Sequence, residues 1–412
     1  MSTGLQTDGL VGGATLPENL RKGIASSNIP ALDGLRAVAV FLVIFYHFGF
    51  SRVPGGLGVL AFFVLSGFLI TLLLLKENNK GGNISLSNFY MRRVLRIFPA
   101  FYVYWFAVAG LLVLTGRAVP WRHAFSAFVY LGDYYNAIVR PPDSFVSHTW
   151  SLAIEEQFYL LWPTLLYAFR RDVVRLTHVL VGLIGFVWVY RVFLELVVRV
   201  DQSYIYNAFD ARLDHLLIGC LLAVLLERGV LASLWQFLCS KVYFPGVTLA
   251  LLIGSVFLEE LHGNRYRDLV GFMLNPILVA ILLVQMVNFS TSAPWKGINW
   301  SWVRYLGRIS YSLYLYQQMT LYPVRRILAG QPVFVQLLAA VAGTVVVASG
   351  SYFLIERPFL GLKSKFSSFS RPETIEVWPP RGAQAESNRT MCKAQPEPNP
   401  VVLVGGNAHR LT

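Results

Sequence analysis

The stretch LDGLRAVAVFLVIFYH, residues 32–47, is almost entirely apolar, yet it carries an arginine, Arg36, near its start and a histidine, His47, at its end. In a helix, eleven steps of ~100° and ~1.5 Å return His47 to within ~20° of the direction of Arg36, ~16 Å further along the axis. A charged group in hydrocarbon costs at least ~2.5 kcal/mol. The pattern therefore predicts a membrane-spanning helix whose polar face lines an active-site cavity.

The composition extends this prediction to the whole chain. Of 412 residues, 55% are hydrophobic and only 14% are charged, with a mean hydropathy of +0.53. Soluble domains carry about 25% charged residues, and each crossing of a bilayer needs about 20 apolar residues. We expect an all-α, polytopic transmembrane helix bundle with about ten spans. The apolar windows lie near residues 33–50, 57–75, 98–115, 150–169, 176–198, 212–228, 243–259, 269–288, 304–322 and 333–355.

Charge and composition also suggest an orientation and domain boundaries. The net charge of +13 lies in short clusters between apolar windows, which is typical of topology signals rather than of nucleic-acid binding. These clusters favour a multi-pass protein of the cytoplasmic membrane with both termini in the cytoplasm. We expect a disordered segment over residues 1–29, a membrane domain over 30–360 and a disordered tail over 361–412. The scattered cysteines predict neither a disulfide framework nor a metal site.

A basic segment precedes the third span. Arg92, Arg93 and Arg96 recur at helical spacing among aromatic and aliphatic residues. This pattern predicts a short amphipathic helix on the inner membrane surface. Guanidinium groups bind phosphate oxygens in a bidentate way, so the three arginines could hold a phosphorylated ligand. They could equally act only as positive-inside residues.

Ionisable residues at the mouths of two later spans are further candidates. Glu155 and Glu156 could belong to a site or cap their helix, and His148 could be a second base or an orienting group. Ser66 lies inside an apolar helix, where a serine more often bonds to its own backbone. Arg212 and Asp214 most simply form a structural pair, which His215 could join.

Taken in order, these motifs resemble the membrane acyltransferase 3 family. Arg36 and His47 fit its signature of a basic residue, ten residues and a histidine. The resemblance covers residues 30–360 and suggests a stand-alone form without the soluble esterase-like domain of some relatives. Two positions depart from the family pattern: Leu60 stands where an acidic residue is usual, and Gln317 where a histidine is common. Further matching motifs are 32–36, 58–59, 62–70, 90–99, 148–163, 212–214 with Gly219, 307–315 and 355–358.

The resemblance implies transfer of an acyl group from acyl-coenzyme A, with acetyl-coenzyme A the most economical co-substrate, to a hydroxyl of a sugar or other acceptor. No bound cofactor is expected. His47 would be the general base, and transfer could be direct or pass through an acyl-histidine. The acceptor could be a glycan, a glycolipid or a secondary metabolite, and the oligomeric state stays open. The expected catalytic residues are His47, Arg36, Glu156 and His148, and the expected donor-binding residues are Arg36, Arg92, Arg93 and Arg96.

Two other functions also suit the sequence. A transporter of a sugar or of an acylated product would have a similar number of spans and polar groups within the membrane. Transporters often contain inverted repeats and helices broken at the midplane, and neither is evident here. A non-catalytic relative is the other alternative, for which Leu60 and Gln317 are the only indications.

Overall fold

The computed structural model describes residues 15–26, 28–362 and Phe366, and these residues form helices and no strand, as the composition predicts. The α-helices are α1 (Glu18–Ala25), α2 (Pro30–Phe48), α3 (Gly55–Gly81), α4 (Leu86–Leu114), α5 (Trp121–Phe128), α6 (Gly132–Val139), α7 (Trp150–Ala168), α8 (Val173–Phe193), α9 (Gln202–Asn207), α10 (Phe209–Glu227), α11 (Ala232–Leu238), α12 (Phe244–His262), α13 (Asn264–Tyr266), α14 (Phe272–Phe289), α15 (Ser301–Arg308), α16 (Ser310–Ile327), α17 (Val333–Ser351) and α18 (Arg357–Leu362). Short 3₁₀ turns (Ser147–Thr149, Trp295–Asn299) and π turns (Leu194–Val198, Arg267–Gly271, Tyr352–Glu356) join some of them.

Seven helical segments of the described chain are long and apolar enough to cross a membrane: α2, α3, α4, α12, and the segments 173–198, 264–289 and 333–362 that include π turns. The segment 202–227 and α11, taken together, are also long and apolar enough for one span, with a bend of 106° between them. Helices α7 and α16 occupy two further predicted spans, and polar side chains lower their hydropathy. The described chain thus has a helix at each of the predicted span positions, consistent with about ten spans.

The bundle has a tightly packed centre and an apolar rim. Helix α2 packs against α3, α15 and α16, and α3 packs along α10. A side chain at Gly67 or at Gly219 would overlap with backbone of the facing helix, so glycine permits this close approach. On the rim, Phe186, Ile253 and Val346 are 66%, 69% and 70% exposed. Apolar faces of this extent call for hydrocarbon around them, so the protein is a multi-pass membrane protein.

Helix α2 confirms the face shared by Arg36 and His47. The helix runs without a break from Pro30 in its first turn to Phe48, and Gly49 ends it in the left-handed conformation with φ of +119°. Because the helix is continuous, the two residues lie ~16 Å apart along one face.

Two predictions are corrected by the structure. The basic segment before the third span is not a separate surface helix, because α4 continues from Leu86 through Pro99 to Leu114. A proline inside a membrane helix is tolerated where neighbouring groups satisfy the freed backbone. The predicted disorder of residues 1–29 does not hold for α1, whose Leu20 and Ile24 are buried and which packs on α14. Apart from 361–362 and Phe366, the predicted tail lies outside the described residues.

Candidate active site

A cavity of about 260 Å³ lies between α2, α3, α4, α7 and α16. We call it the basic cavity, because Arg36 lines it together with Lys76, Arg92, Arg93 and Arg96. The end of the bundle that carries these five residues is called the basic end. The structure therefore brings together all four residues that were expected to bind a donor.

Two of these arginines are paired with carboxylates. Arg36 Nη1 lies 3.3 Å from Asp33 Oδ1, one turn earlier on α2, and its side chain is 22% exposed. Arg92 Nη2 lies 2.9 Å from Glu77 Oε2, and its other terminal nitrogen donates to the carbonyl of Phe366 at 2.7 Å. Arg92 is thus the most fully engaged of the cations in the cavity.

Arg93 and Arg96 form no ion pair within the described part of the chain, although Glu155 and Glu156 lie within electrostatic range of Arg93, and Glu356 within that of Arg96. The guanidinium of Arg93 lies over the rings of Phe89 and Tyr159, 5.5 and 5.1 Å from their centroids, and such contacts do not neutralise the charge. Arg96 has no hydrogen bond or ion pair within residues 15–26, 28–362 and Phe366. The basic cavity therefore has a positive potential suited to phosphate groups.

A hydrogen-bonded cluster closes one wall of the basic cavity. The Ser66 hydroxyl donates to Glu155 Oε1 at 3.0 Å and lies 2.8 Å from the Tyr159 hydroxyl, which donates to Glu155 Oε2 at 3.0 Å. The expectation that Ser66 bonds to its own backbone is therefore wrong. Tyr159 was not among the expected site residues, although its position one turn after Glu155 on α7 was a usable signal.

The two adjacent glutamates lie in different environments. Glu155 lines the basic cavity, whereas Glu156 does not. Glu156 is half-buried and within electrostatic range of Arg93 and Tyr130, and it forms no hydrogen bond within the described part of the chain. A catalytic role for Glu156 stays a prediction.

His47 is oriented by a residue that we noted only as a departure from the family pattern. Its Nδ1 lies 3.3 Å from Gln317 Oε1 on α16. The amide orientation follows from the other side of Gln317, whose Nε2 donates to the Tyr314 carbonyl at 3.1 Å. Because an amide oxygen only accepts, Nδ1 of His47 must carry the proton and Nε2 keeps its lone pair. Gln317 thus supplies the hydrogen bond that holds His47 in the tautomer a general base needs.

His148 lies near His47 in the turn before α7. Its Nε2 donates to the carbonyl of Leu315 at 3.1 Å. Burial, together with repulsion from His47, lowers the pKa of His148 to about 3. A ring this weakly basic suits an orienting role better than that of a second base. We call the region of His47, His148 and Gln317 the histidine end.

Tyr314 separates the basic cavity from the histidine end. Its side chain lines the cavity, while His47 does not. The Tyr314 hydroxyl donates to the carbonyl of His148 at 2.5 Å and lies 2.6 Å from the hydroxyl of Ser151. The structure therefore places Arg36 in the basic cavity and His47 beyond its inner end, with Tyr314 in contact with both regions.

Comparison with known proteins decides the family. The model of the acyltransferase domain family, Acyl_transf_3, matches residues 29–355. The chain belongs to the acyltransferase 3 family. The predicted resemblance and the predicted enzyme class, an acyltransferase of groups other than amino-acyl groups, are confirmed at the level of this family.

Similar curated proteins come from several bacteria. The peptidoglycan O-acetyltransferase OatA of Listeria monocytogenes is 33% identical over 85% of this chain and 60% of its own length. Protein YrhL of Bacillus subtilis, provisionally named a peptidoglycan O-acetyltransferase, is 34% identical over 83% of this chain and 56% of its own. The chain thus spans less than two thirds of the length of these relatives. No solved structure matches the chain.

One structural pair within this acyltransferase domain differs from our expectation. Asp214 pairs with Arg191 through two hydrogen bonds of 3.1 and 2.7 Å, not with Arg212. His215 donates to the carbonyl of Phe272 at 3.1 Å. The wrong partner was expected because Arg212 is close to Asp214 in sequence, whereas Arg191 reaches it from α8.

Proposed function

We propose that the protein is a membrane O-acyltransferase that moves an acetyl group from acetyl-coenzyme A to a hydroxyl of a cell-envelope glycan. The observation that carries the proposal is the arrangement along α2, where Arg36 lines a basic cavity and His47, on the same face, is held by Gln317 with Nε2 free. The peptidoglycan acceptor named for the relatives supports a glycan acceptor here.

The basic cavity suits the donor. Phosphates of coenzyme A would contact Arg93 and Arg96, with Arg36 deeper along the path. A volume of about 260 Å³ is below the ~300–1,000 Å³ typical of sites that enclose drug-sized ligands, so it would take the pantetheine arm rather than the whole molecule. The ~16 Å between Arg36 and His47 is comparable to the length of that arm. The thioester would then reach the inner end of the cavity near Tyr314.

The histidine end suits the chemistry. The acceptor hydroxyl attacks the thioester carbonyl, and Nε2 of His47 takes its proton as the carbon–oxygen bond forms. The Tyr314 hydroxyl, at the inner end of the cavity, would turn from the carbonyl of His148 to donate to the developing oxyanion. The carbon–sulfur bond then breaks, and the protonated His47 returns a proton to the leaving thiolate. Neutral His148 would keep the acceptor side oriented, and Glu156 would act from outside the cavity.

The two ends also suggest an orientation in the cytoplasmic membrane. The basic end collects the cations expected on the cytoplasmic side, where coenzyme A thioesters are made. The histidine end would face outward, toward glycans. Both termini would then be cytoplasmic.

The proposal is tested with purified protein in lipid nanodiscs, supplied with acetyl-coenzyme A labelled in the acetyl group and with peptidoglycan fragments. We expect label in the glycan and stoichiometric release of free coenzyme A. The variant His47→Ala is the negative control. Transfer of label by that variant at the wild-type rate, or no transfer by wild-type protein, would overturn the proposal.

A further inference from the structure

A second cavity, of about 550 Å³, lies at the histidine end between α9, α12, α14 and the loop after α2. We call it the outer cavity. It does not overlap with the basic cavity, and polar and aromatic side chains line it. These include Tyr46, Glu259, Glu260, Arg267 and Asn275.

The outer cavity is one side chain away from His47. The Tyr46 ring, which lines the cavity, meets the His47 ring edge to face with centroids 5.6 Å apart. Gly55 packs directly against the Tyr46 ring, so closely that a side chain at position 55 would overlap with the ring. This contact holds Tyr46 in place. If a ligand filled the outer cavity and extended past Tyr46, the part beyond Tyr46 would therefore lie next to His47.

Several polar groups in the outer cavity lack partners. Glu259 and Glu260 form no hydrogen bond or ion pair with the described residues. Asn275 is only 5% exposed, and its Oδ1 has no hydrogen-bond partner there. Buried polar atoms are almost always satisfied, so this amide calls for a ligand or water. By contrast, Arg267 is held in place by Asp268 and Asn264 at 2.8 Å each.

Aromatic rings and a buried cation form the floor. Tyr206 and Phe272 line the cavity, and the guanidinium of Arg212 lies behind them, 5.2 and 3.9 Å from their ring centroids. Arg212 is fully buried, and none of its three nitrogens has a hydrogen-bond acceptor within the described part of the chain. Asp214 lies within electrostatic range of this guanidinium, which does not itself line the cavity but stacks on the two rings that do.

We propose that the outer cavity binds a pyranose unit of the glycan acceptor and thereby presents the neighbouring hydroxyl to His47. This inference rests on the proposed function. A sugar ring offers hydroxyl groups to carboxylates and amides and apolar C–H faces to aromatic rings, and the outer cavity holds both kinds of partner. The two carboxylates in the lining argue against a lipid chain, because desolvating them against hydrocarbon is costly.

The test measures acceptor and donor separately. The acceptor probe is a β-1,4-linked N-acetylglucosamine tetramer, and the donor is acetyl-coenzyme A. We expect Glu259→Gln and Asn275→Leu each to raise the KM for the tetramer about tenfold, while the KM for the donor stays within twofold of wild type. Glu195→Gln, the same change at the same end of the bundle but outside the outer cavity, should leave both values unchanged.

A binding measurement without chemistry completes the test. Tetramer binding to nanodisc-held protein is followed by intrinsic fluorescence with no donor present, and donor binding shows that each variant is folded. Weaker tetramer binding by both outer-cavity variants supports the inference. Wild-type affinity in both would overturn it even if transfer proceeds, whereas absence of transfer by wild-type protein would count against the proposed function instead.

Discussion

The basic end and the histidine end, which lie along the same helix, differ in charge and in hydrogen bonding. At the basic end, five cations surround a cavity, and Arg96 has no hydrogen bond or ion pair among the described residues. At the histidine end, the Gln317 amide holds His47 and one backbone carbonyl holds His148. A surplus of positive charge attracts a polyanionic ligand, whereas a proton transfer needs a neutral, oriented base. The difference predicts that mutations at the two ends will have separable kinetic effects.

The largest expected effect is at His47. We expect His47→Ala to lower kcat by about 10²–10⁴-fold, the usual contribution of a general base, without loss of membrane insertion. Turnover is measured by release of coenzyme A, and His178→Ala on the exposed face of α8 is the matched control. Near-normal turnover by His47→Ala would contradict the assignment of catalysis to the histidine end.

Loss of a free cation should have a different signature. Arg96→Gln removes a guanidinium that forms no ion pair with a described carboxylate, so we expect the KM for acetyl-coenzyme A to rise about tenfold with kcat within about threefold of wild type. Arg171→Gln, an exposed change at the same end, serves as the control. Initial rates over a range of donor concentrations separate the two constants. A fall in kcat at constant KM would contradict a donor-binding role.

Gln317 offers a test of the tautomer argument. Gln317→Leu removes the amide oxygen that accepts a hydrogen bond from His47. We therefore expect kcat to fall about tenfold, while the KM values for donor and acceptor stay unchanged. Gln317→His keeps a hydrogen-bonding group at this position and should restore most of the loss. The comparison of the two variants at saturating substrates is the measurement. Equal loss in both would show that packing, not the hydrogen bond, is what matters.

The smallest expected effect comes from a substitution of His148, and it concerns the pH dependence of stability. The pKa of His148 is lowered to about 3 by burial, against an ordinary value of ~6.5. Between these values the unfolded chain binds the proton more readily, so wild-type stability falls as pH drops below ~6.5. His148→Gln should flatten this part of the curve, measured as melting temperature at pH 7.5 and 5.5. The pH dependence of kcat above pH 6 should keep its shape, and a shifted midpoint would assign His148 a titrating role.

The general architecture was predictable from local patterns. Apolar windows of span length located the helices, and the spacing of Arg36 and His47 defined a common face because helical periodicity is fixed. The position of α1 was missed, since two buried residues, Leu20 and Ile24, are too few to stand out beside polar neighbours.

Pairings across helices were not predictable in this way. Asp214 pairs with Arg191 rather than Arg212, and Ser66 pairs with Glu155, because these contacts depend on how α8, α10, α3 and α7 pack. The Gln317 contact with His47 bridges 270 residues of sequence. The arginines of α4 were identified as a group, but only the structure shows that Arg92 forms an ion pair with Glu77, whereas Arg96 forms none within the described residues.

Donor binding by a catalytically inactive variant tests the central claim most directly. Coenzyme A binding to His47→Ala in nanodiscs is measured by calorimetry beside wild type and Arg96→Gln. The separation of the two ends predicts wild-type affinity for His47→Ala, despite its much lower kcat, and about tenfold weaker binding for Arg96→Gln. Weakened binding in His47→Ala together with unchanged binding in Arg96→Gln would contradict it.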